Sequence, residues 1–261
     1  MLKIVELLIY IQVISVALLT VLFHMKIGKY PQKLETIRSP KKELLEVMLI
    51  WLILFLTLTY IMLSVFYFPY LPYPGFKIVN GIIIPLDLIL SFVLPLIILR
   101  VWRKGSDKEN FMFNLPRDKK STFFFLLIFV IYTIITFFIV GGEKESLIAL
   151  LWGIVTPAIS EEFFSRPVFI SKLERAYGIN TAWFVGGLLF GLLHIPNDFF
   201  GYFWFLYGEN FFNSLGALLI QIIFGFMLGI MFIKTRSLIP CIIGHYVIDF
   251  LPSILAIIIP F

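Results

Sequence analysis

Glu161, Glu162 and Arg166 stand inside an otherwise apolar run from Ser146 to Ile170, long enough to cross a bilayer. One charged side chain at the centre of a membrane helix costs about 2.5–3.5 kcal/mol on insertion scales, so three in a single run need a reason. Two histidines have similar surroundings: His194 in Phe190-Gly-Leu-Leu-His194-Ile-Pro196, and His245 in Gly244-His245-Tyr-Val-Ile-Asp249. Carboxylates and imidazoles are the groups that hold a metal ion or a reactive water, and a glutamate beside such a water serves as general base.

Helix geometry sorts these residues. Neighbours on a helix point about 100° apart, so Glu161 and Glu162 cannot face the same point. Glu162 and Arg166 are four residues apart and can pair. Glu161 shares its face with Pro157, Ala158 and Ser165, which let other helices approach. Glu161 is therefore the candidate base and Glu162–Arg166 its support, with Glu162 as a metal ligand the open alternative. His245 and Asp249 also share a face. Zinc is a candidate cofactor, held by His194, His245, Asp249 and Glu161 or Glu162. Each residue also has a plainer reading as a packing imidazole or a structural ion pair, and Asp87 and Gln221 as polar residues paired inside a bundle. Counting from the expected helix ends puts Glu161, His194 and His245 at compatible depths, which favours one shared pocket, nearer the basic end of the chain's helices.

The elements that must position them are membrane helices. Hydrophobic residues make up 60% of the 261 and charged residues only 14%, too apolar a balance for a soluble domain. Eight spans are expected, near 4–23, 45–68, 80–100, 122–141, 146–171, 180–196, 212–233 and 238–259, giving an all-α fold. The stretches Lys26–Lys42, Arg100–Lys120, Arg166–Arg175 and Lys234–Arg236, at the ends of spans one, three, five and seven and the connections after them, hold 18 of the 21 Lys and Arg residues. By the positive-inside rule those connections face the cytoplasm and both termini lie outside. The net charge of +5 is then loop charge, and nucleic acid is not an expected partner. The first span reads as uncleaved, since its apolar stretch exceeds a signal peptide's and no small-residue cleavage site follows.

The chain reads as one integral membrane domain, 1–261, with spans one to four as a shield around a core near 146–259. Gly187-x-x-x-Gly191 and Gly225-x-x-x-Gly229 predict close packing between spans six and seven. The basic loops 24–44 and 101–121 include Tyr30, Leu34, Ile37, Phe111 and Phe113 and read first as plain topology determinants, or else as segments on the inner membrane face with membrane lipids as partners. His24, in the first of them, is expected to be solvated. The aromatic loop Phe199, Phe200, Tyr202, Phe203, Trp204, Phe205 and Tyr207 suits the other interface. Cys241 cannot form an intramolecular disulfide and reads as a small buried apolar residue.

Glu161-Glu162-x-x-x-Arg166, Phe190-x-x-x-His194 and His245-x-x-x-Asp249, in that order, resemble the motif set of the CAAX protease and bacteriocin-processing family. These are glutamate-dependent intramembrane endopeptidases that include the CAAX prenyl endopeptidases of the Ras-converting type. The resemblance covers roughly residues 157–250. It implies peptide-bond hydrolysis in a conical cavity open to the cytoplasmic side, on a lipidated or membrane-proximal peptide. Glu161 would activate water, His194 would hold that water and shuttle a proton, and His245 with residue 249 would stabilise the oxyanion. The prenyl endopeptidase branch typically has Asn where this chain has Asp249, and an ionised Asp cannot donate to an oxyanion. A non-catalytic scaffold or immunity protein of the same fold is one rival reading. An ion-coupled transporter is the other, and it lacks a visible inverted repeat.

Overall fold

The computed structural model describes residues 2–26, 30–34, 38–77, 83–102, 111–201, 204 and 210–259. Ile37, Tyr202, Phe203, Phe205, Tyr207, the loop cations Lys29, Arg103, Lys104 and Lys108, and the start of the third expected span (80–82) lie outside the described residues. The chain forms α1 (Leu2–Lys26), α2 (Pro40–Phe66), α3 (Leu86–Ile98), α4 (Lys119–Val140), α5 (Leu147–Tyr177), α6 (Ile179–Phe200), α7 (Phe211–Thr235) and α8 (Ile239–Ile258). A small antiparallel hairpin precedes α3, with β1 (Gly75–Lys77) paired to β2 (Ile83–Pro85).

Seven of these helices are long and apolar enough to cross a membrane, and α3 is not. Its 13 residues span about 20 Å, some 10 Å less than a bilayer's hydrocarbon core. The eighth full span expected near 80–100 is therefore a half-length helix entered from a hairpin. The physical reason is Pro85, which cannot continue a helix toward the N-terminus and begins α3 at Leu86. Side chains on the outer faces, such as Ile14, Leu18, Leu45, Leu52, Ile135 and Phe138, are large, apolar and exposed. This is the surface of an integral membrane protein, for which lipid replaces water.

Polar caps start the helices where the apolar runs begin. Asp118 accepts from the Ser121 N–H at the start of α4, Ser146 from Ala149 N–H at α5, and Asn210 from Phe212 N–H at α7. The closest helix pair is α6 with α7. A Cβ on Gly225 would lie 2.5 Å from the Gly187 carbonyl oxygen, so the predicted small-residue spacing is where these two backbones touch. α1 lies along α7, α4 along α8, and α2 against the last turns of α5.

The basic connections gather at one end of the bundle, but not as free loop charge. Lys172 donates to Glu43 and Glu46, Arg175 to Glu43, and Arg236 to both carboxylate oxygens of Glu174 at 2.6 Å. Arg38 and Arg100 reach Glu46 from two further connections. Glu43, Lys172 and Glu174 are fully buried. Their reading as simple topology charge is corrected: they form a plug of ion pairs that ties all four basic connections together. His24 likewise has a partner, the Tyr30 hydroxyl at 3.0 Å, rather than solvent alone.

Candidate active site

α5 is not a uniform helix. Thr156 is extended (φ −140°, ψ 121°), and Pro157 follows it. Residues 160–164 are α-helical, and wider π-type turns flank them, Ile154–Ile159 with Pro157 and Ser165–Ile170 with Pro167. Each proline removes a backbone donor, which loosens the ladder on both sides of Glu161 and Glu162. The sequence contained both prolines, but a continuous span was expected.

The two glutamates diverge as helix geometry demands. Glu162 is fully buried and accepts from Arg166 Nε at 2.6 Å and Nη2 at 3.0 Å. Its Oε1 also faces His245 Nδ1 at 2.9 Å. Arg166 gives a third hydrogen bond to the Gly225 carbonyl and lies 4.9 Å from the centre of the Phe190 ring. Phe190 in turn packs on both imidazoles, with ring centres 5.1 Å from His194 and 6.1 Å from His245. The aromatic residue four before His194 is thus the floor on which guanidinium and imidazoles rest.

Glu161 turns to the other side, where its Oε2 lies 3.6 Å from His194 Nε2 and 3.9 Å from His245 Nε2. That oxygen is shut off from solvent and has no hydrogen-bond partner among the described residues. His194 sits where α6 breaks: the helix stops at Leu192 and resumes at Ile195, before Pro196. Its Nδ1 faces the Phe190 carbonyl at 3.1 Å. A carbonyl only accepts, so Nδ1 carries a hydrogen and Nε2 is the nitrogen presented to Glu161. On α8, His245 Nε2 lies 3.2 Å from Asp249 Oδ2. All six sequence-selected residues therefore belong to one cluster.

The cluster borders a cavity of about 180 Å³, lined by Glu161 and His194 together with Asp87, Ser91, Thr156, Ser160 and Asn197. Its apolar wall comes from Leu54, Leu58 and Met62, in the later half of α2. The cavity begins midway along α5 and extends toward the start of α3, away from the basic connections. The cluster itself reaches back toward the basic end, since His245 stands in the second turn of α8 from that end. The buried ion pairs lie at the basic end, and the cavity lies on the side of the first turns of α3. Asp87, on the first turn of α3, was read only as a polar residue finding a partner. Asp198, which the sequence reading missed, is fully buried beside His194 with neither carboxylate oxygen paired among the described residues. It stands four residues after His194, the same spacing as Asp249 after His245, and this repeat was the available signal.

Zinc does not fit these donors as placed. Among the described residues no three His, Cys, Asp or Glu side chains are arranged to hold a metal ion. His245 presents both ring nitrogens to carboxylates, which leaves no lone pair free for a metal while both are hydrogen-bonded. Cys241 is buried, with its thiol toward the Leu228 carbonyl, and takes no part.

Residues 143–251 match the family model described as Rce1-like, type II CAAX prenyl endopeptidase. The chain is similar to that family over this stretch. The stretch runs from just before α5 into α8 and contains all six residues of the cluster. No curated protein and no solved structure matches the chain. The Rce1-like family is one of proteases, and the match supports a peptidase.

Proposed function

We propose that the protein is an intramembrane endopeptidase that cuts a lipidated or other membrane-proximal peptide with a water activated by Glu161. The observation that carries this reading is Glu161 Oε2, buried and without a hydrogen bond among the described residues, between the Nε2 atoms of His194 and His245. A water there gives its proton to Glu161 while its oxygen attacks the carbonyl carbon of the substrate. His194, its Nδ1 anchored on Phe190, has Nε2 free to take that proton from Glu161 and deliver it to the leaving amine nitrogen. His245 is held by Glu162 through Nδ1, so the donor it can offer the oxyanion is Nε2–H, which it shares with Asp249 at 3.2 Å. Asp249 aims that donor and does not itself touch the oxyanion, which accommodates an acid where the prenyl branch has Asn. The basic end faces the cytoplasm and both termini lie on the other side. The cavity then starts near the bilayer midplane.

The test is cleavage of a panel of peptides, prenylated and unprenylated, by the purified protein. Removing the base in Glu161→Gln lowers cleavage by about 10²–10⁴-fold with unchanged thermal stability. Equal product from wild type and Glu161→Gln on every peptide overturns the enzyme reading and leaves a scaffold of this fold. No observation favours the transporter.

A further inference from the structure

The cavity has a second acidic wall. Asp87 enters it from the first turn of α3, on a different element from Glu161. Its Oδ1 is shut off from solvent and has no hydrogen-bond partner among the described residues. Among the described residues lining the cavity there is no lysine or arginine. Arg166, the nearest guanidinium to Glu161 along the chain, is spent on Glu162 and Gly225 in the other direction. Behind the lining, Asp198 adds a third carboxyl group that acts electrostatically on both His194 and Glu161.

Asp87 has a simpler role as a negative group near the N-terminus of α3, where the helix dipole favours it. That role is met by either oxygen and does not explain why Oδ1 is left without a donor among the described residues. A buried acceptor without a donor is unfavourable by the desolvation it suffers, and here it belongs to a residue that lines the same cavity as Glu161. A carboxylate on the substrate would meet Asp87 and Glu161 together at low dielectric. A cation there would be attracted by both.

We propose that Asp87 is a specificity residue that receives a basic substrate side chain, lysine or arginine, within one or two residues of the cleaved bond. This rests on the endopeptidase reading and narrows its substrate class. The aliphatic stem of such a residue lies along Leu54, Leu58 and Met62, and its charged end reaches Asp87.

The probe is a set of acylated peptides, identical except that the residue on either side of the cleaved bond is Lys, Leu or Glu. They are offered to the full-length protein in phospholipid vesicles. The Lys peptides are cleaved with kcat/KM at least about tenfold above the Glu peptides, most of it in KM. Asp87→Asn reduces that ratio to about twofold, and Asp87→Lys inverts it. Equal or faster cleavage of the Glu peptides by wild type overturns the inference while leaving the endopeptidase intact, as does a ratio that Asp87→Asn does not change. Asp87→Glu guards against a folding defect, since it keeps the charge and restores the preference. Binding of the same peptides to Glu161→Gln, read by fluorescence anisotropy, decides the matter without turnover. Tighter binding of Lys than Glu peptides, lost on Asp87→Asn, is expected even if the catalytic reading fails, and equal binding overturns the inference.

Discussion

Replacing Arg166 by methionine tests whether the site is built on a buried ion pair. The side chain is fully buried and makes two hydrogen bonds to Glu162, one to Gly225 and a cation–π contact with Phe190. Arg166→Met leaves the Glu162 carboxylate buried with His245 as its one remaining partner. Breaking such a pair by removing one member costs about 3–5 kcal/mol, because the other charge stays desolvated. Removing both members costs less, since an apolar pair of similar volume often replaces a buried ion pair nearly neutrally. Glu162→Gln with Arg166→Met is thus expected to recover about 1–3 kcal/mol relative to the sum of the single variants. The cycle is read by thermal unfolding in detergent, where about 1 kcal/mol shifts the midpoint by roughly 2–4 °C for chains of this size. The double variant remains inactive, since Glu162 also fixes His245. Strict additivity of the two losses, or a loss below about 1 kcal/mol for Arg166→Met alone, refutes the reasoning.

Two further outcomes follow from the other end of the bundle. Glu174→Ala strands the nearly buried Arg236 and frees the Leu34 N–H, and should lower stability by about 3 kcal/mol or more. A change within about 0.5 kcal/mol, measured by thermal unfolding, would show solvated loop charge instead. Single cysteines in a Cys241→Ser background map the sides of the membrane: a membrane-impermeant thiol reagent should reach Lys120→Cys from the cytoplasm and Tyr70→Cys from the opposite side. Labelling from the reverse sides overturns the proposed orientation.

The sequence made the spans legible because lipid imposes a simple rule on length and polarity, and seven of eight met it. α3 escaped the rule: its mean apolarity is high, and only the hairpin and Pro85 shorten it. The partition of Glu161 from Glu162 was also legible, since it needs nothing beyond 100° per residue. Glu162 as an acceptor for His245 was not, because that contact joins α5 to α8 across 83 positions. The burial of Lys172, Glu174 and Arg236 was hidden for the same reason. Charges near the ends of spans look solvated until the connections that cover them are placed. The break of α6 at His194 was not legible, because Pro196 alone did not fix where the helix would stop.

The adjacency of the two glutamates acquires a physical meaning from these contacts. A carboxylate oxygen without a hydrogen bond in a membrane helix is unfavourable, and Glu161 Oε2 has none among the described residues, only the two imidazoles at 3.6 and 3.9 Å. It can be kept there because the next residue is the opposite case. Glu162 is tied to Arg166 and His245, and Arg166 to Gly225 on α7, so the short α-helical segment 160–164 is pinned to both α7 and α8. The flanking prolines leave that segment free of a continuous ladder, and the ion pair replaces the ladder's rigidity. Moving the carboxylate by one position would exchange these roles. A swap such as Glu161→Gln with Glu162 retained therefore keeps the anchor and loses the base, whereas Glu162→Gln retains the base on a segment that is no longer held.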